Sequence, residues 1–151
     1  MSEYIKARTV FKVDHLDCLV QALQDINPHW SGKIEVHEKP VALFGYHGDR
    51  RAESAEIVIR REHVRNGAND IGFKVQADGT VSAIISAFDQ QSGNDAEWLG
   101  TLSQHYAFRV TEQRGWAMGC DVIKTVNEDG TWRVVLRQPE VEAWQQAGRG
   151  W

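Results

Sequence analysis

Asp78-Gly79 stands between two strand-forming runs, Ile71-Gly-Phe-Lys-Val75 and Val81 to Phe88. Both residues of an Asp-Gly pair tolerate positive φ, which the tight turn of an antiparallel hairpin requires and most side chains resist. This forces two neighbouring antiparallel strands, and the rest of the chain must then supply an apolar layer against them. A second hairpin is read around Asn127-Glu-Asp-Gly130, between strands at 120–126 and 132–137.

Other runs repeat with the same period of two. Ile5, Ala7, Thr9, Phe11 and Val13 alternate with Tyr4, Lys6, Arg8, Val10 and Lys12, which predicts a strand over 3–13. Residues 33–38 and 41–46 read as two short strands split by Lys39-Pro40, and Ala55 to Arg60 as another, after a polar loop from His47 to Ser54. The polar segment from Glu62 to Asp70 reads as a loop.

Two segments change to helical spacing. Leu16, Leu19, Val20, Leu23 and Ile26 form one stripe, with Asp14 as N-cap and Asn27-Pro28 as the stop. Leu99, Leu102, Tyr106 and Val110 mark a second helix over about 95–114, ended by Gly115. The predicted order is β-α-β-β-β-β-β-α-β-β. It implies an α+β fold: a two-layer sandwich, mainly antiparallel sheet with two helices on one face. Segments 3–46 and 81–137 both read strand–helix–hairpin, a pseudo-repeat without evident identity. One domain is expected over 1–138, followed by a C-terminal tail, 139–151.

A chain of 151 residues with 42% hydrophobic and 25% charged residues is globular, and long enough to build a core without metal or disulfide staples. Its two cysteines, Cys18 and Cys120, do not make a disulfide framework and read as thiols in a reducing compartment. The start Met1-Ser-Glu-Tyr-Ile-Lys6 lacks a signal-peptide pattern and no apolar run approaches a membrane span, so the expected location is cytoplasmic. A net charge of −4 gives no global attraction to nucleic acid or anionic membrane.

Several strings carry a family resemblance. Gly45-Tyr-His-Gly48, Ala55-Glu-Ile-Val-Ile-Arg60, Asp70-Ile-Gly-Phe73, Gln104-His-Tyr-Ala107 and Asn127-Glu-Asp-Gly-Thr-Trp-Arg-Val-Val-Leu-Arg137 occur in order over about residues 3–138. In this the chain resembles an uncharacterised family, the hypothetical chloroplast reading frame 35, found in plastids, cyanobacteria, other bacteria and phages. The Trp-bearing stretch 114–119 and the extended tail depart from that pattern. The resemblance implies one small domain and carries no established activity, cofactor or catalytic residue set.

The usual chemical signatures are absent from the sequence. The histidines at 15, 29, 37, 47, 63 and 105 form no H-x-x-x-H pair and there is no C-x-x-C, so no metal and no cofactor is expected. Gly45-Tyr46-His47-Gly48 is not a phosphate loop, because no Gly-Lys-Ser/Thr and no helix follow. There is no G-x-S-x-G elbow, and Cys18 lies on an apolar stripe.

What remains is surface. Arg50, Arg51, Arg60, Arg61 and Arg65 gather within 45–70, interleaved with Tyr46, His47 and His63. Arginine forks suit carboxylates and phosphates, but Asp49, Glu53, Glu56 and Glu62 stand among them as ready internal partners. Trp30, Trp116, Trp144 and Trp151 fall outside the periodic segments, where tryptophan serves either an interface or a folded-back seal. The leading expectation is a non-enzymatic binding or adaptor module for a protein partner or a second copy of itself. Two alternatives stay open: nucleic-acid binding through the 45–70 arginines, disfavoured by the acidic isoelectric point, and an enzyme acting on a small anionic substrate. In the latter, His47 or His63 would be the base and Arg60 or Arg61 the anchor.

Overall fold

The computed structural model describes residues 2–139. Its class is mixed α+β, built on antiparallel pairing throughout. Five strands, β1 (Tyr4–Lys12), β2 (Ile34–Phe44), β3 (Arg50–Ile59), β4 (Ile71–Val75) and β5 (Thr80–Ser86), form one sheet in the order β1-β5-β4-β3-β2. The β4–β5 hairpin is the one that Asp78-Gly79 demanded: Gly79 takes φ +84°, and Gln76 N–H donates to Thr80 O across the turn at 2.7 Å. β1 then adds to the other side of β5, with Tyr4 opposite Ser86.

The two strands expected at 33–38 and 41–46 are one strand, so seven strands rather than eight are described. Pro40 is tolerated because β2 lies at the sheet edge, where a missing N–H breaks no ladder bond. Val36 pairs with Ile57 and Val41 with Ala55, so four residues on β2 face Glu56 alone on β3. Such an irregularity bends a strand. Its effect is large here: β1 and β2 are opposite edges of the sheet, yet Tyr4 Oη donates to Phe44 O at 3.3 Å and to Asp70 O at 2.8 Å. The far half of the β2–β3 hairpin therefore curls across the outer face, closing a small cluster of Tyr4, Leu43, Ala55, Val58 and Ile84. Gly72 makes the approach feasible, since a Cβ there would meet Ala55 Cβ at 2.7 Å and Leu43 Cδ1 at 2.9 Å.

The inner face carries Phe73, in register with Ile57 and Ala83. Phe11 meets Phe73 and Tyr106 edge-on, with ring centroids 6.0 and 4.9 Å apart, and Tyr106 Oη accepts from Lys12 N–H at 3.0 Å. α1 (Leu16–Ile26) buries Cys18, Leu19, Ala22 and Leu23; of the stripe read from the sequence Leu19 and Leu23 are buried, while Leu16, Val20 and Ile26 are half-buried. Its N-cap position is His15 rather than Asp14, because strand β1 stops at Lys12 and a 3-10 turn, Val13–His15, intervenes.

Four helices are described, not two. α2 (Arg61–Val64) is a single turn inside the expected loop. α3 (Ala87–Gln91) replaces the end of the expected strand 81–88, because Ser86 caps it by accepting from Asp89 N–H at 3.1 Å. α4 (Ala96–Ala117) runs through Gly115, and the chain turns only at Gly119, at φ +75°. Gly115 is a packing residue: a Cβ there would lie 2.7 Å from Leu136 Cδ2 and 2.8 Å from Val122 Cγ2.

The described residues divide into two compact units, 2–107 and 108–139, the boundary falling within α4. In the second unit β6 (Asp121–Val126) and β7 (Trp132–Arg137) make a separate two-stranded sheet. Phe108 meets Trp132 edge-on at 5.9 Å, and Lys124 Nζ lies 4.1 Å from the Trp132 ring centre. The two segments of the pseudo-repeat thus diverge: the hairpin expected in the first is the single edge strand β2, whereas the second ends in a true hairpin, β6–β7.

Candidate functional site

Two carboxylates, Asp70 and Asp89, are fully buried beneath the 45–49 turn and the 60–69 segment. A buried carboxylate is stable only when its oxygens are taken up by donors. Asp70 Oδ2 accepts from Arg60 Nη1 at 2.8 Å and from Phe44 N–H at 2.9 Å, and Oδ1 accepts from Arg61 N–H at 2.8 Å. Asp89 Oδ1 accepts from Arg65 Nη1 at 2.6 Å. Its Oδ2 takes Asn69 N–H at 3.0 Å and Ser86 Oγ at 2.8 Å. Arg65 also donates to Asn94 Oδ1. Among the described residues no buried side-chain polar atom lacks a partner.

Arg60 is spanned by this arrangement rather than offered to solvent. Its Nε and Nη2 grip both oxygens of Glu35 at 2.8 and 3.0 Å, and Nη1 also donates to Ala42 O at 3.1 Å. The bidentate hydrogen bond from Arg60 holds the Glu35 carboxyl below the usual range, aided by the His37 ring at 2.8 Å, and the same pair pushes the Arg60 guanidinium up. Burial, reinforced by the nearby Asp70 charge, pushes the Tyr4 hydroxyl up. Arg60, Arg61 and Arg65 are each ion-paired to Glu35, Asp70 or Asp89, at distances from 2.6 to 3.9 Å. The basic cluster therefore carries little surplus positive charge.

What this buried frame supports is a ridge. The 45–49 turn closes with Gly45 N–H donating to Asp49 O at 2.9 Å and with Gly48 at φ +81°. Tyr46 N–H donates to Asn69 Oδ1 at 3.1 Å, tying the turn to the network below. The Tyr46 ring is 48% exposed and rests against His47, ring centroids 3.7 Å apart. Tyr46 lines a cleft of about 430 Å³ together with Arg61, Glu62, Arg65 and Gly67. A second cleft, of about 400 Å³, shares Tyr46 and Gly67 with the first and is also lined by Ser2, Asn69 and Phe88.

The residues singled out in the sequence are thus dispersed. Tyr46 and His47 form the ridge, and Arg61 is one cleft wall. Arg50 is exposed on β3, opposite Phe44. Arg51 lies 5.1 Å over the Tyr4 ring and 3.8 Å from Asp49. Arg60 is a support and not a ligand-facing group, because its nitrogens are occupied from within. The His63 ring sits 3.8 Å from Glu62, and its main-chain oxygen accepts from Trp30 Nε1 at 2.8 Å. Neither His47 nor His63 lines the cleft beside Arg61.

Trp30 is not available to a partner: it is 3% exposed and meets Trp98 edge-on at 6.2 Å. Trp116 is 62% exposed and belongs to the last turn of α4 rather than to a loop. Trp144 and Trp151 lie outside the described residues. Asn69, Asp70, Ser86, Asp89 and Phe88 were missed. The only available signal was Ser86-x-x-Asp89, a capping pattern hidden by the apolar run before it. One group of metal-type donors occurs among the described residues, at His15, Asp17 and Cys18, whose atoms lie within 4.8 Å of one another at the start of α1.

No helix among the described residues is long and apolar enough to cross a membrane. No curated protein and no solved structure matches the chain. Residues 22–135 match the family described as protein of unknown function, DUF1257. The matched segment begins within α1 and ends within β7, taking in the curled hairpin, the buried carboxylates and the Tyr46 ridge. The chain therefore belongs to the DUF1257 family of proteins of unknown function.

Proposed function

We propose that this chain is a non-enzymatic binding module for a protein partner, with the Tyr46 ridge as the point of engagement. The observation that carries this is a half-exposed tyrosine shared by two clefts, on a turn clamped by Asn69 and Asp70. Aromatic side chains dominate binding hot spots, and one that is already held in place loses little freedom on association. Arg61 in one cleft is 3.9 Å from Asp70, the loosest of the three arginine pairs, and Phe88 in the other is 42% exposed. The surface fits a partner segment that sets an apolar side chain beside a carboxylate.

The second unit adds exposed apolar residues of its own, among them Trp116, Met118, Ile123 and Val135, which suits an adaptor. The nucleic-acid and small-substrate readings of the 45–70 arginines draw less support, since carboxylates already answer Arg51, Arg60, Arg61 and Arg65. The reading places the module in the cytoplasm, where the free thiols of Cys18 and Cys120 stay reduced.

The test is a photocrosslinking phenylalanine analogue placed at Tyr46 in the full chain, in its native host. The expected result is one discrete protein adduct that disappears in Arg61→Glu and Phe88→Ala backgrounds with unchanged circular dichroism. Adducts no different from those of the same probe at exposed Glu38 would overturn the proposal.

A further inference from the structure

We infer that the outer face of the five-stranded sheet carries a site for a small phosphorylated ligand, held by Lys6, Arg8 and Lys74. The placement follows from strand register. Ser82 of β5 is opposite Arg8 of β1 and also opposite Lys74 of β4, so the three form one row across the sheet. Residues directly opposite share a face, and neighbouring strands lie about 4.8 Å apart, which sets the two cationic residues roughly 10 Å apart with a hydroxyl between them. Lys6 is two residues from Arg8 on the same face, opposite Ile84.

The row is divided between two clefts that share Lys6, one lined by Arg8 and Ser82 and the other by Lys74. A cleft of about 500 Å³ is lined by Lys6, Arg8, Gln76, Asp78, Thr80 and Ser82. A second, of about 260 Å³, shares Lys6 and is lined by Lys74, Ser54, Glu53 and Tyr4. The larger falls in the size range of small-molecule sites, and its polar groups are hydrogen-bond formers suited to a phosphate and its substituent.

Charge separates this site from the 60–65 arginines. Lys6 Nζ donates to Gln76 Oε1 at 3.0 Å and Lys74 Nζ to Ser54 Oγ at 3.0 Å, both neutral acceptors. Among the described residues none of Lys6, Arg8 and Lys74 is in an ion pair. Each ammonium retains further N–H donors, and Arg8 keeps its full fork. Of the two carboxylates bordering the clefts, Asp78 is turned into its own hairpin, where Oδ1 accepts from Thr80 N–H at 3.0 Å and Thr80 Oγ1 at 2.6 Å. Glu53 lines the smaller cleft, beside Lys74 and Ser54. Unanswered cations gathered over a concavity concentrate anions even on a protein whose net charge is −4.

The site is separate from the Tyr46 ridge, and an amide-resolved NMR titration of the full chain distinguishes them. The probes are inorganic pyrophosphate, adenosine monophosphate and a single-stranded RNA oligonucleotide, each at low salt. Pyrophosphate and the nucleotide are expected to shift the amides of Thr9, Gln76 and Ser82 and to weaken as salt rises. An Arg8→Gln, Lys74→Gln double variant should lose at least tenfold in affinity, and Glu53→Gln should gain. Binding weaker than about 1 mM, or shifts centred on Tyr46 and Arg61, would overturn the assignment. Tighter binding of the RNA at the same residues would overturn the small-ligand class.

Discussion

Replacing Asp70 by alanine tests whether the buried carboxylates hold the candidate site in place. The side chain has no solvent exposure and accepts from Phe44 N–H, Arg61 N–H and Arg60 Nη1 at 2.8 to 2.9 Å. Truncation leaves two main-chain N–H groups without their acceptor, each costing about 1–3 kcal/mol where water does not reach. Arg60 is not stranded, since its bidentate bond to Glu35 survives, which keeps the loss below that of a lone buried charge. The two N–H groups together set the loss at about 2–6 kcal/mol. Urea unfolding should show this as a shifted midpoint with unchanged slope. Asp70→Asn keeps one acceptor oxygen and the volume, and should lose about half as much. The variant also frees Phe44 N–H two residues before the ridge, so amide exchange at Tyr46 and Gly48 should quicken. A loss below about 1 kcal/mol, the level of an ordinary surface change, would refute the reasoning.

Gly72→Ala should destabilise by about 1–3 kcal/mol through overpacking, because its Cβ would meet Ala55 Cβ at 2.7 Å. Combining it with Ala55→Gly should recover part of that loss, read as a coupling in a double-mutant cycle. Stability should also fall in acid: the Glu35 carboxyl is held below its ordinary 4.5 by Arg60, so the pair stabilises the fold above that value. The contribution is lost as pH drops through the lowered value, and Glu35→Gln should flatten the urea midpoint between about pH 5 and 3.

Local rules made much of the fold legible. Asp78-Gly79 can turn tightly and its flanks favour strands, so β4 and β5 were readable as a pair. The Leu19 and Leu23 stripe marked α1 because a helix repeats about every 3.6 residues. Lys39-Pro40 misled, since proline reads as a break unless the strand is known to be an edge, and edge position is a property of the whole sheet. Gly115 misled in the same way: its freedom from a Cβ served packing against Leu136 and Val122, and not a helix end.

The candidate site was legible only as a composition. Tyr46, Arg61 and Arg65 were visible as residue types, but which arginines face outward depends on where Asp70, Asp89 and Glu35 come to rest. Asp70 is 26 residues from Phe44, and Asp89 is 24 from Arg65. The outer-face row of Arg8, Ser82 and Lys74 exists only because β5 lies between β1 and β4.

The amino-acid sequence by itself determined the hairpin at Asp78-Gly79, the α1 stripe and the α+β class, because turns and periodicities rest on contacts within a few residues. The tertiary structure alone decided that the β2–β3 hairpin curls over the sheet, that two carboxylates are buried beneath Tyr46, and which cations are answered from within. Those outcomes depend on long-range pairing and on a competition between burial and hydrogen bonding that no local pattern encodes.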